Sequence, residues 1–450
     1  MTPIDYLYLK LGNFKYDVES DSSHSLYGAI DWNRDGIYAS QPVAAYIGTK
    51  YSGSCGRFKE RLLFGYEEMA IHNQIIQGGT TLVEFQGTLY ALSFSVGGNL
   101  IWIYKYAYNG SNWSWVSVSG VPSLSTHITF PSDTPAVTAA SINGQNRLYI
   151  VFRRLSDKKL FSFFMYMDGS GAEKFCSASM TYCLTSPFAF HDLTDTASRS
   201  PSFQRNSTSE VHLYYGDSSV GSLYVYKKTL SNSGSWSSFS AVKDSGNNPI
   251  RGDSSPKVIK LQNNEEFLFI VNNLELDIYQ MTMSGWVKKN SGQRELFESN
   301  VFLTPDSQEN IDVLYDNRSN RRQGFHLWFR AGTEYFRFVS GPYDNSNASK
   351  PFTFDMRNEI VDENCTAKGA PSILLSDIGS PSTAFRAAIS CTSSGLGSSY
   401  LPYGDGIFNR NIPAPNDWSI MAKYMCAGIA YQTEEGTLYG GGGAICISPP

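Results

Sequence analysis

The densest set of potential ligand atoms lies in Asp31-Trp32-Asn33-Arg34-Asp35-Gly36. Oxygen donors at alternating positions, closed by a glycine that permits a sharp turn, are how a loop wraps Ca2+. Asp31, Asn33 and Asp35 are the metal ligands this spacing nominates, and calcium is the one cofactor it suggests. The match stops there, because Ala39 and Pro42 stand where a further ligand and a bidentate carboxylate are needed. A hairpin turn is the competing reading, since Asn-Arg-Asp-Gly between Ala29-Ile30 and Ile37-Tyr38 is good turn chemistry.

Other catalytic signatures are weak or missing. Asp277, Asp312 and Asp316 supply carboxylates, but no spacing places two of them together as glycoside hydrolysis requires. The histidines at 24, 72, 127, 191, 212 and 326 are scattered, without the paired spacing of a metal site. No Gly-x-Ser-x-Gly elbow occurs, and Gly440 to Gly443 lack the Lys-Ser/Thr of a phosphate loop. Arg251-Gly252-Asp253 reads as a chance tripeptide. No catalytic residue is named, and whether the chain is an enzyme stays open.

What remains is recognition by aromatic and polar side chains. A Trp or Tyr offers an apolar face to a sugar's C–H surface, while Arg, Asn or Glu bonds its hydroxyls. Trp102, Trp113, Trp115, Tyr224, Trp236, Trp286, Trp328 and Arg330 are the candidate ligand-binding residues, with the tryptophans after Gly/Ser turns favoured. A place in the hydrophobic core is the competing reading for each. A glycan or glycoprotein is the partner these residues suggest.

Such residues need elements to hold them, and a repeated pattern supplies these. An apolar-aromatic run, a polar turn and a second such run recur: Leu89-Tyr90-Ala91-Leu92 with Leu100-Ile101-Trp102-Ile103, then Leu148-Tyr149-Ile150-Val151 with Leu160-Phe161-Ser162-Phe163. Leu213-Tyr214-Tyr215 with Leu223-Tyr224-Val225, Leu268-Phe269-Ile270 with Leu276-Asp277-Ile278, and Val313-Leu314-Tyr315 with Leu327-Trp328-Phe329 follow. Asn143-Gly144 and Asn263-Asn264 mark hairpin turns between runs, because these residues tolerate positive φ. Four strands in about 50 residues, repeated, is the content of a β-propeller blade. Units starting near 26, 89, 148, 213, 268, 314 and 373 give seven blades, with six as the alternative, in one all-β domain over 1–450. Strands from the two termini would close the ring and remove its edges. Tyr66 to Ile76 is the one helical-looking segment.

Composition agrees. Aromatics reach 14%, with 28 Tyr and 27 Phe, while charged residues fall to 17%, which favours pleated sheet over surface helix. A net charge of −5 and the lack of a basic cluster argue against nucleic acid. Seven cysteines without a CxxC pair exclude a zinc ribbon; Cys176 and Cys183 are close enough to close a small loop, with free buried thiols as the alternative. No run of 18 apolar residues spans a membrane, and the N-terminus lacks the basic start and apolar core of a signal peptide.

The alternation of hydrophobic strand, turn, aromatic strand and Trp-bearing loop over roughly residues 80–340 resembles the propeller lectins of the fungal fucose-binding type, their bacterial relatives and the tectonin type. That resemblance implies a non-enzymatic, soluble glycan binder acting outside the cell, with sugars held between adjacent blades and avidity from several sites. It departs in its irregular repeat lengths and in lacking an Arg/Glu/Trp set at each repeat. The Asp31 loop is also similar to those of EF-hands, dockerins and calcium-binding FG-GAP propellers. A propeller glycoside hydrolase with paired carboxylates, and a structural or protein-binding propeller, are the alternative functions.

Overall fold

The computed structural model describes 6–11, 14–19, 67–72, 76–110, 113–177, 183, 188–205, 210–218, 223–272, 275–289, 311–317, 324–331, 334–340, 354–360, 366–367, 369–378, 384–393 and 396–403. The Asp31 loop, the repeat unit near 26 and the run after Gly428 lie outside these residues. Two compact units are distinguished. The smaller comprises Met1–Met69, Arg318–Arg322 and Pro402–Pro450, and the larger Ala70–Asn317 and Gln323–Leu401. In the smaller, β1 (Tyr6–Leu11) and β2 (Phe14–Glu19) form an antiparallel hairpin.

The rest is a succession of antiparallel sheets. After β3 (Glu67–His72), the first sheet is β4 (Ile76–Phe85), β5 (Thr88–Ser95), β6 (Ile101–Tyr108) and β7 (Trp113–Ser117) in sequence order. The second joins β8 (Ala136–Ile142), β9 (Gln145–Arg153), β10 (Lys159–Met167) and β11 (Glu173–Cys176), with β12 (His191–Thr196) also pairing with β10. The third is β13 (Ser202–Phe203), β14 (Val211–Asp217), β15 (Tyr224–Leu230) and β16 (Ser240–Ala241). The fourth is β17 (Lys257–Lys260), β18 (Glu266–Asn272), β19 (Glu275–Thr282) and β20 (Gly285–Lys288). The fifth is β21 (Ile311–Asp316), β22 (Gly324–Ala331), β23 (Glu334–Ser340) and β24 (Phe354–Ile360). The sixth has β25 (Thr366–Ala367) and β26 (Ser372–Ser376) pairing with β27 (Ala384–Ser393), then β28 (Leu396–Tyr403), and ends on β3.

The first strand of each sheet packs against the first strand of the next. β4 meets β8, β8 meets β13, β13 meets β17, β17 meets β21, β21 meets β26, and β26 returns to β4. A cycle of sheets touching through their innermost strands is a β-propeller. Among the described residues the ring closes on six sheets, the alternative to the seven that the repeats favour.

Core residues sit between neighbouring sheets, as that geometry demands. Leu92, Phe94 and Ile103 of the first sheet interlock with Ile150, Phe152, Phe163 and Met165 of the second. The opposite face of the second sheet, through Tyr149, Val151 and Phe164, packs on Leu213 and Tyr215 of the third. Successive strand residues point to opposite faces, so a strand buried on both sides carries bulky residues at consecutive positions. That is why Leu268 joins the core shared with the third sheet while Phe267 and Phe269 join the core shared with the fifth.

Turn chemistry sets the hairpins. Asn143 (φ 52°) and Gly144 (φ 72°) link β8 to β9 with Ile142 opposite Gln145, as the Asn-Gly pair predicts. One expectation is corrected. In the segment Tyr66 to Ile76, expected to be helical, the described residues are strand: Glu67–His72 is β3, and β4 begins at Ile76. Its propensity yields to the sheet edge it completes beside β28. Cys176 and Cys183 form a disulfide, closing the loop that follows β11.

Candidate functional site

The six innermost strands surround a cavity of about 880 Å3. Its wall is assembled from short segments that share a form: a small residue, a proline, then the inner strand. Thr134-Pro135, Ser200-Pro201 and Ala370-Pro371 line it, as does Ser255 of the Ser255-Pro256 step. Proline suits this place because its missing N–H is not needed at a strand's first residue, and it pushes the preceding residue into an extended conformation. The first sheet approaches both of its neighbours closely. A Cβ on Gly79 would collide with the Ala370 carbonyl, and Gly78 (φ +60°) passes as closely over Asp133.

Hydrogen bonds knit the wall. The Leu82 N–H donates to Ser372 Oγ at 3.0 Å, and Thr81 Oγ1 donates to the Pro135 carbonyl at 2.6 Å. Behind the wall, Arg153 and Asp133 form a buried bidentate pair at 3.0 and 2.5 Å, and Ser200 Oγ donates to the same carboxylate at 2.9 Å. Arg153 also lies 3.8 Å over the Phe130 ring.

Arg205 reaches furthest across the ring. Its Nη2 meets Asp312 Oδ2 of β21 at 2.5 Å, and its Nη1 donates to the Ile373 carbonyl of β26. Asp312 Oδ2 accepts the Ile373 N–H at 2.8 Å as well. One guanidinium thus ties the third, fifth and sixth sheets together. The Arg205 backbone runs along β17, its N–H donating to Val258 O at 2.9 Å and its carbonyl accepting from Lys260 N at 3.1 Å. These bonds set Arg205 opposite Ile259 of β17.

Two lining side chains have unused hydrogen-bonding capacity. Gln204 is 3% exposed, and neither its Oε1 nor its Nε2 has a partner among the described residues. Ser255 is 1% exposed, and its Oγ has none either. Buried polar groups are normally paired, so these two residues beside one cavity leave donors and acceptors that the described residues do not meet. Lys257 lines the same cavity; burial pulls its ammonium below the usual lysine value, with Asp312 opposing that and Arg205 adding to it. Phe203 and Tyr315 give the wall an apolar component.

The aromatic residues singled out in the sequence lie elsewhere. Trp328 is 1% exposed, and Trp286, at 5%, belongs to the core between the third and fourth sheets. Trp115 on β7 sits 5.1 Å from the Tyr106 ring, and Trp236 packs near Tyr149 and Phe203. Trp102 on β6 and Tyr224 on β15 are half-buried, as is Arg330 on β22, and Trp113 opens β7. None of them lines the cavity. Among the three carboxylates considered, Asp312 lines it, Asp277 pairs with Lys288 at 2.6 Å, and Asp316 lies 3.9 Å from His326. Asp31, Asn33 and Asp35 fall outside the described residues. Among the described residues no group of three or more His, Cys, Asp or Glu is arranged to hold a metal ion.

No family model matches this chain, and no curated protein matches it significantly. Among solved structures, it is similar to the six-bladed propeller lectin of Aleuria aurantia at 10% identity and a TM-score of 0.45, over 73% of this chain and 91% of the lectin. Trypanosoma rangeli sialidase matches at 10% identity and 0.47, over 81% of this chain but only 63% of the sialidase, under two thirds of its length. The Fusarium graminearum α-L-arabinofuranosidase matches at 12% and 0.46, over 73% of this chain and 92% of the enzyme. The order of sheets and inner strands is what defines the class: this chain is a β-propeller.

Proposed function

We propose that this chain is a non-enzymatic carbohydrate-binding propeller that holds its saccharide in the central cavity. The observation that carries this reading is the pair of buried, unpartnered residues Gln204 and Ser255 on the wall. A sugar brings hydroxyls able to donate and accept at once, which is what an amide and a serine hydroxyl lack there. A cavity of about 880 Å3 lies within the range of small-molecule sites, and Phe203 and Tyr315 offer apolar contact for a ring's C–H face.

Binding is favoured over hydrolysis by the state of the wall's carboxylates. Glu84 is exposed, and Asp312 is committed to Arg205 and to the Ile373 N–H. Glycoside hydrolysis asks for two carboxyl groups free to act on one bond. Titration calorimetry against a panel of mono- and disaccharides tests the proposal. One saturable site per chain is expected, weakened in Gln204→Leu. Failure to bind any saccharide overturns it, and turnover of nitrophenyl glycosides that is lost in Asp312→Asn replaces binding with hydrolysis.

A further inference from the structure

From the charges around the same cavity, we infer that its ligand is an anion, a saccharide bearing a carboxylate that sits on Lys257. This rests on the saccharide reading above and names the class of sugar. Lys257 opens the inner strand β17 and forms no ion pair among the described residues. The acid that would serve it, Asp312, is taken by Arg205 at 2.5 Å. Lys260, on the same strand, leans 3.9 Å toward Glu266, which does not line the cavity. Arg205, Lys257 and Lys260 therefore outnumber Glu84 and Asp312 on the wall, in a chain whose net charge is −5.

A cation whose nearby carboxylate, Asp312, is already bonded to Arg205 is only partly compensated, and burial drags the Lys257 ammonium below its usual value. A carboxylate arriving from solvent relieves that cost through a charge-assisted hydrogen bond. The neighbouring groups suit the rest of such a ligand. Ser255 lies two residues before Lys257, and the bonds between the Arg205 backbone and β17 hold Gln204 beside that strand. Lys257, Gln204 and Ser255 thus line one cavity, the ammonium suited to the carboxylate and the other two to hydroxyls. A neutral sugar would satisfy Gln204 and Ser255 and leave Lys257 as it is.

Calorimetry with matched pairs tests the inference: glucuronate against glucose, galacturonate against galactose, and acetate and inorganic phosphate as anions without a sugar. Binding of one uronate about tenfold or more tighter than its neutral partner is expected, a typical worth for one charge-assisted contact. Lys257→Gln should abolish that preference and Lys257→Arg should keep it, with a thermal melt confirming that both variants fold. Equal affinity for acid and neutral sugar overturns the anionic assignment and leaves the saccharide site standing. Binding of acetate or phosphate as tight as that of the uronate keeps the Lys257 anion site and removes the sugar. No binding by any of the six probes overturns both.

Discussion

The layers between the sheets and the ring around the centre are built on opposite rules. Between the first and second sheets, Phe152, Phe161, Phe163 and Phe190 meet edge and face, with ring centroids 5.2 to 6.3 Å apart. Every surface there is matched by another from the same chain. Around the centre, small residues, prolines and polar side chains meet an open volume, and Gln204 and Ser255 keep bonding capacity that no described residue uses. The aromatic excess of this sequence thus belongs to the architecture, whereas the proposed binding rests on inconspicuous residues.

Truncation in a layer should give the largest effect on stability. Phe163 is fully buried among Phe152, Phe175, Phe188 and Phe190. Phe163→Ala should cost about 3–5 kcal/mol in denaturant unfolding, the usual range for an aromatic cavity. Saccharide affinity per folded molecule should be unchanged; a matching loss of affinity would break the separation between layer and centre.

The Arg153–Asp133 pair stands at the border of the two regions, its side chains 4% and 1% exposed. Removing one partner strands a buried charge, so Asp133→Ala should destabilise by about 3–5 kcal/mol. Pairing that change with Arg153→Met should recover much of the loss, because no charge is then left alone. If the double variant is as unstable as the single, the network holds the fold through geometry rather than charge.

Centre residues should behave the other way. Replacing Gln204 by Leu removes an unpaired buried amide at similar volume, so stability should hold or rise by about 1 kcal/mol while saccharide binding falls. A stability loss on the scale of Phe163→Ala would show that Gln204 serves packing, and the comparison would fail at its sharpest point.

The same contrast explains what could be read from the residues alone. Paired runs such as Leu148–Phe152 and Leu160–Phe164 are legible because strands buried on both faces carry bulky residues without a break. The inner strands are nearly silent: Ser202–Phe203 is two residues long, and Lys257–Lys260 is charged at both ends. Their pairing depends on neighbours far along the chain, which local propensity does not register. A signal was present in the recurring small-residue–Pro steps at Pro135, Pro201, Pro256 and Pro371, each leading into an inner strand. Trp286 and Trp328 are core, since a ring suited to a sugar's face is equally suited to a neighbouring sheet.

The smallest expected effect is a pH dependence arising from the outer regions, with the centre contributing none of the groups involved. Burial lowers the pKa of His127, His191 and His212 below the ordinary 6.5, with Arg154 adding to the shift at His127. His127 explains why: its ring lies 4.6 Å from Phe161 and 5.0 Å from Phe190, where an imidazolium would be poorly solvated. Above pH 6.5 both folded and unfolded chains hold these rings neutral, and stability is unaffected. As pH falls through 6.5 the unfolded chain takes up protons first, so stability declines until the folded values are passed. The melting midpoint should therefore drop between pH 7.5 and 5.5, and His127→Asn should flatten that drop. Asp277 acts with the opposite sign in a lower window. Burial raises its carboxyl above the ordinary 3.8 despite Lys288, so the folded chain binds its proton more readily and acidification through that window adds stability. Asp277→Asn should remove the gain without touching the decline near pH 6. A single slope unaffected by either variant would mean that the pH response originates outside His127 and Asp277.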